Sequence, residues 1–373
     1  MFFVIIIIAF GKNFNLYSFI KNMKIFAEKS HYKEEDRKYL IEVLRPVWND
    51  KPIEEKINIY GEWVSRYTFS ENIEEADICF LPMTWDYYEK FGLVNLAKKA
   101  VAEAQRHNKP IILFIRHDFI PKLPFSNVIL FEHSGYRSRQ GEISHFSLPP
   151  LFPDFQKMYC SGNPTYRQKT NQPPVVGFCG AVANSPVDYL RSISGNWKHW
   201  IEFDFGVSKW EPPSYPTSIF RKRVLDRFTN STNVTTNFIF RKQFRAGMDI
   251  SNDNDPLRLA FIENILGSDY TICMRGEGNY SFRFYETLDL GRIPVFIDTD
   301  CLLPWDNAIN YRDYFPWIEY HEIPYAAEKL LDYHNSLSGD DFVDLQKQCR
   351  SLYEEQFTYQ KFYGHFIDFL NGI

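Results

Sequence analysis

Apolar runs of strand type alternate along this chain with stretches of helical spacing, the pattern expected of parallel sheets flanked by helices. In the first half the pattern predicts a helix over residues 36–46, a strand over 76–82, a helix from about Gly92 to His107, and strands over 110–118 and 127–133. Open parallel sheets bind ligands beyond the carboxyl ends of their strands. Arg116, His117 and Asp118, and likewise Glu132 and His133, end such strands and are placed where a first domain would face a cleft. From about 147 to 175 prolines and polar residues replace periodicity, which marks an interdomain linker. PVVGFCGAVAN then predicts the first strand and glycine turn of a second Rossmann-like unit, with Gly180 either approaching bound phosphates or merely turning the chain. Asp255 to Leu266 predicts an amphipathic helix, and the tail from His321 is helical and aromatic. The expected fold class is α/β with two Rossmann-like domains. They divide as residues 1–22 (an extension), 23–160, 161–174 (linker), 175–345 and 346–373 (terminal helices).

The densest chemistry lies in residues 270–305. Tyr270 to Met274 is a strand; Arg275, Gly276, Glu277, Gly278 and Asn279 break it with two glycines able to take positive φ. Ser281 suits a helix N-cap, Tyr280 and Tyr285 stand at the two positions of a hydrophobic staple, Gly291 fits the C′ site, and Ile293 to Ile297 is the next strand. The unpaired N–H groups of this helix start, with Arg275 and Arg283, suit a diphosphate, and Glu286 shares a face with Arg283. An ordinary crossover explains the elements and makes Arg283 and Glu286 a surface ion pair. It does not explain two arginines around a double-glycine turn, because Phe282, Phe284, Tyr285 and Leu288 already supply the packing.

RGEGNYSFRFYETLDLGRIPVFIDTD resembles the C-terminal signature of the exostosin-like glycosyltransferases: a strand, an RG turn, an SxRFYE helix and a G-x-IPV strand in succession. The likeness continues at lower density through DPLRLAFIENILGSDY, VVGFCGA and ADICFLP. It implies a GT-B architecture whose two domains face across a cleft, with a final helix crossing back to the first domain. It also implies an inverting mechanism, a nucleotide-diphosphate sugar donor, usually a uridine one, and a glycan acceptor. In such an enzyme Arg275, Gly276, Gly278, Ser281, Arg283 and Gly180 would hold the donor, and Glu286 would accept hydrogen bonds from ribose hydroxyls.

Sugar transfer also needs a base for the acceptor hydroxyl. Asp86, His117, Asp118 and His133 are candidates; Asp118 is preferred, or His117 with Asp118 orienting it, against the bland alternative of a capping aspartate beside a satisfied histidine. Asp298-Thr299-Asp300 matches the metal-binding DxD triplet of the other major glycosyltransferase fold. The resemblance places it in a loop near the donor, so neither a divalent metal nor another cofactor is expected. Arg221, Lys222, Arg223, Arg227, Arg241, Lys242 and Arg245 suggest a solvated helix face with one or two donor contacts.

Composition bounds the rest. With 373 residues, 45% hydrophobic and 17% aromatic, the chain can bury two substantial cores. A net charge of −5 gives no general attraction to nucleic acid or anionic membrane. Six scattered cysteines without a CxxC pair suit reduced thiols, which favours the cytosol or a cytosolic membrane face. The apolar residues 2–10 are about half a bilayer span in length, so no stable membrane span is expected. They are either an edge strand or an upstream extension; the latter is favoured, with poor order expected for residues 1–22. Two other functions compete. A nicotinamide enzyme would want a third glycine where Ser281 stands. A non-catalytic glycan-binding or partner subunit could keep the same fold without the chemistry.

Overall fold

The computed structural model describes residues 22–139, 144–162, 165–241 and 254–372; the expectations for residues 1–21, and for Lys242 and Arg245, lie outside these. In chain order the strands are β1 (Met23–Phe26), β2 (Tyr67–Phe69), β3 (Ile78–Phe80), β4 (Ile111–Ile115), β5 (Ile120–Pro121), β6 (Ile129–Glu132), β7 (Ser144–Ser147), β8 (Val175–Ala181), β9 (Trp210–Glu211), β10 (Thr235–Arg241), β11 (Tyr270–Cys273), β12 (Ile293–Ile297) and β13 (Trp317–Ile318). The helices are α1 (Ile53–Tyr60), α2 (Trp85–Lys90), α3 (Val94–Arg106), α4 (Phe155–Tyr159), α5 (Pro186–Asp204), α6 (Thr217–Thr229), α7 (Pro256–Leu266), α8 (Phe282–Asp289), α9 (Ala326–Ser336), α10 (Gly339–Gln356) and α11 (Tyr359–Leu370).

Two parallel sheets result, in the orders β2-β1-β3-β4-β6-β7 and β10-β8-β11-β12-β13, and the fold is α/β with two Rossmann-like units. All five residues of β4 and of β12 are buried, as covering both faces of a parallel sheet requires. Helix α3 presents Ala97, Val101 and Ala104 to the first sheet at four- and three-residue spacing. Each sheet has its own core, and α11 adds Phe362, Phe366 and Ile367 to the first one, although it is the last helix of the chain. Trp85, Tyr87 and Tyr88 are buried in that core rather than offered to a sugar.

The helix expected over residues 36–46 is instead two 3₁₀ turns, Glu34–Tyr39 and Glu42–Leu44. Leu40 and Ile41 between them are extended, because Ile41 N–H donates to the Pro82 carbonyl (3.1 Å) and Thr84 N–H to that of Tyr39 (2.9 Å). A tertiary backbone pairing outcompetes the local helix.

The two units meet along a polar seam. Strand β5 of the first pairs with β9 of the second, and Tyr136 bridges to Cys301. Arg137 pairs with the buried Asp298, and Asn279, fully buried, donates to the carbonyls of Gly135 and Asp300, both at 3.2 Å.

Candidate functional site

The second sheet reverses its strand order between β8 and β11, and the crevice beyond the carboxyl ends of two such strands is where α/β folds place ligands. Gly180 and Ala181 close β8; Met274 to Asn279 follow β11 and lead into α8. This helix ends in a full Schellman motif, with Gly291 at φ +61°, Gly291 N–H on Leu288 O (3.0 Å) and Arg292 N–H on Thr287 O (2.9 Å). Its start is less conventional. Ser281 occupies the N-cap, yet its side chain makes no capping bond among the described residues. Tyr285 packs edge-on against Phe284 and Phe357, while Tyr280 turns to the other unit, stacking on His133 and donating to Asp118 Oδ1 at 3.0 Å.

Three guanidinium groups converge on this crevice. Arg283 lies over the Phe178 ring at 4.2 Å and donates from Nη2 to Cys179 O (2.6 Å), while its buried Nε finds no acceptor among the described residues. Arg221, from α6, donates to Arg275 O (3.0 Å) and Ala181 O (3.4 Å), so it spans the ends of both switch-point strands. Burial and then the nearby Arg283 push its pKa down to about 10. Arg283 is lowered as well, by burial first; Cys273 and Glu286 act against that shift. Arg275 is 5% exposed and fully engaged, with Nη1 on Tyr136 Oη (2.8 Å) and Nη2 on Glu277 O (2.9 Å). It ties the loop to the first unit, leaving Arg221 and Arg283 as the charges turned to the crevice.

The glycines serve this cluster by making room. Neither Gly276 nor Gly278 has positive φ, contrary to the sequence expectation. A Cβ on Gly180 would stand 2.8 Å from Arg283 Nη2, one on Gly276 3.2 Å from Arg221 Nη2, and one on Gly278 2.5 Å from both Ser134 Oγ and the Tyr280 ring. Gly180 and Gly276 thus admit the two guanidiniums, and Gly278 admits the seam.

Across the seam, Asp118 is exposed and follows β4, where the Tyr280 hydroxyl holds it. His117 lies flat against Trp210 at 4.0 Å, and its Nδ1 accepts Phe119 N–H (3.0 Å). The neutral ring therefore carries its proton on Nε2 and offers a donor, not a base, and burial lowers its pKa. No hydrogen bond joins it to Asp118 among the described residues, so the expected His117 base oriented by Asp118 is not what forms. His133 has the opposite tautomer: Nδ1–H donates to Leu148 O (2.9 Å), and burial drops its pKa to about 4. In the Asp298-Thr299-Asp300 triplet, Asp298 binds Arg137 and Cys301 N–H, and Asp300 binds Ser138. Both carboxylates hold the seam together.

Arg221 is the residue that sequence reasoning left among a solvated row of cations. Its spacing carried a signal: four residues after Thr217 and three before Val224, it falls on the buried face of α6 with Phe220, Leu225 and Phe228.

No family model and no curated protein matches this chain. Solved structures similar to it include a glycosyltransferase from Rickettsia africae ESF-5 (11% identity, TM-score 0.38, 94% of this chain and 98% of that one). Another is a variant of TarM from S. aureus in complex with Fondaparinux, alpha-GlcNAc-glycerol and UDP (9%, 0.36, 79% and 55%). A third is WaaG, a glycosyltransferase involved in lipopolysaccharide biosynthesis (12%, 0.30, 86% and 81%). At such identities and TM-scores the functional reading rests on the site's own residues.

Proposed function

We propose that this protein is an inverting glycosyltransferase that moves a sugar from a nucleotide-diphosphate donor, UDP-linked, to a glycan hydroxyl. The observation that carries this reading is the pair of half-buried guanidiniums, Arg221 and Arg283, at the switch point of the second sheet beside the start of α8. Arg221 and Arg283 make no carboxylate salt bridge among the described residues and Arg283 lowers the pKa of Arg221, so an anion between them stabilises both. A diphosphate leaving group supplies that charge, and the N–H groups at the helix start add to its stabilisation. Arg275 shapes the loop, Gly276, Gly278 and Gly180 leave it space, and Ser281 and Glu286 offer hydroxyl and carboxylate to phosphate and ribose. Asp118 is the base: it stands on the first unit and is positioned by Tyr280, the residue just before the N-cap of α8. Because Asp298 and Asp300 are committed to Arg137 and Ser138, we expect turnover without a divalent metal.

Arg283→Ala or Glu286→Ala should abolish turnover while the thermal transition stays close to that of the parent. Unchanged donor affinity in both variants would sink the assignment, and loss of activity on EDTA with recovery on Mn²⁺ would overturn the metal-free mechanism.

A further inference from the structure

Helix α5 runs for 19 residues without burying one of them. Val187, Leu190, Ile193, Trp197, Ile201 and Phe205 fall within one third of its circumference and form a continuous apolar stripe. The stripe is strongly exposed, with Leu190 at 69%, Trp197 at 68% and Phe205 at 82%, and Val207 just beyond the helix extends it at 77%. A contiguous apolar surface of this length marks an interaction site.

Charge beside the stripe identifies what covers it. A groove of about 630 Å³ between α5 and α6 is lined by Tyr189, Leu190 and Ile193 on one wall and by Lys222 and Asp226 on the other. It adjoins a second, of about 330 Å³, lined by Tyr189, Arg223, Asp226 and Arg227. Lys222 pairs with Asp226, but Arg223 and Arg227, both exposed, make no ion pair among the described residues. On α5 itself Arg191 pairs with Asp188 and Lys198 with Glu202, which leaves the exposed Asp204 at its C-terminal end. The net result is an apolar stripe rimmed along α6 by two unpaired cations. We propose that this α5–α6 face docks the protein on an anionic phospholipid bilayer, with the stripe at the acyl boundary and Arg223 and Arg227 on the phosphates.

The chain's net charge of −5 gives no overall attraction, so this local rim has to supply it.

Flotation of the full chain with phosphatidylcholine vesicles, and with vesicles half phosphatidylglycerol, tests this directly. The wild type should float with the anionic vesicles. Leu190→Glu/Trp197→Glu and Arg223→Glu/Arg227→Glu should each lower the partition at least fivefold, since a basic residue near such a surface contributes about fivefold. Both variants should still bind UDP like the wild type, which separates this outcome from failure of the donor-site reading. If the glutamates on α5 unfold it, Arg223→Gln/Arg227→Gln, exposed and outside the core, carries the test. Absence of flotation, equal flotation of all variants, or a lipid-free dimer that the α5 variant dissociates would each overturn the proposal.

Discussion

Replacing Arg221 by methionine separates a ligand-binding arginine from a structural one. In the folded protein, burial and Arg283 depress this guanidinium from 12.5 to about 10, which at 1.36 kcal/mol per pK unit is about 3 kcal/mol of unfavourable charge. A cation with a lowered folded-state pKa is destabilising while it stays protonated. The penalty therefore applies below about pH 10 and is relieved as pH rises through that value. Methionine removes this penalty but also removes hydrogen bonds to Arg275 O (3.0 Å) and Ala181 O (3.4 Å), of which the shorter is worth about 1.5–3 kcal/mol for a charged donor and the longer adds little. The two effects nearly cancel, so urea denaturation at pH 7.5 without ligand should place Arg221→Met within about 1.5 kcal/mol of the parent. Donor binding has no such compensation: losing one charge-assisted bond to phosphate costs about 1.5–3 kcal/mol, or roughly 10- to 150-fold in the Kd for UDP. Calorimetric titration reads that number. A variant destabilised by about 3 kcal/mol or more that binds UDP as tightly as the parent would refute the reasoning and make Arg221 a strut between β8 and β11.

Gly180→Ala would put a methyl 2.8 Å from Arg283 Nη2 and displace a flexible guanidinium rather than backbone, so UDP affinity should fall about tenfold with little change in unfolding free energy. Equal affinity would show that the position of Arg283 is immaterial. Burial holds His133 near 4 against 6.5 in the unfolded chain, so its contribution to stability is complete above pH 6.5 and is lost as pH falls to 4. The full loss is about 3 kcal/mol, and the slope of unfolding free energy between pH 6.5 and 4 should flatten in His133→Gln; an unaltered slope would contradict it. Arg350, 4% exposed, binds Asp289 at the end of α8 and Asp154 before α4; Arg350→Ala leaves the buried Asp289 short of its cation and should cost about 3–5 kcal/mol in urea, whereas a loss under 1 would contradict it.

The legible parts of this protein are the local ones. Strand β11, its loop, α8 and β12 lie within 30 residues, and their caps, glycines and apolar runs specify one another without help from distant contacts. Strands β3, β4 and β6 were equally plain because both faces of their sheet are buried. What escaped is set by topology. Arg221 lies 54 positions from Arg275 and reaches it because β8 and β11 are neighbours, while the seam through Asn279, Gly135 and Asp300 draws on three separate loops. The glycines of the loop suggested backbone freedom, but their function is space, which is visible only once Arg283, Arg221 and Ser134 are placed beside them. His117 shows the same limit on a smaller scale: its position beyond β4 suggested a base, and one backbone N–H from Phe119 fixed the tautomer otherwise.

Equilibrium binding of UDP and of uridine, measured side by side in EDTA, tests the central claim most directly. A diphosphate site built from Arg221, Arg283 and the start of α8 predicts that UDP binds at least about a hundredfold more tightly than uridine, as two charge-assisted contacts provide. Equal affinities, or no binding of UDP until a divalent metal is added, would contradict it.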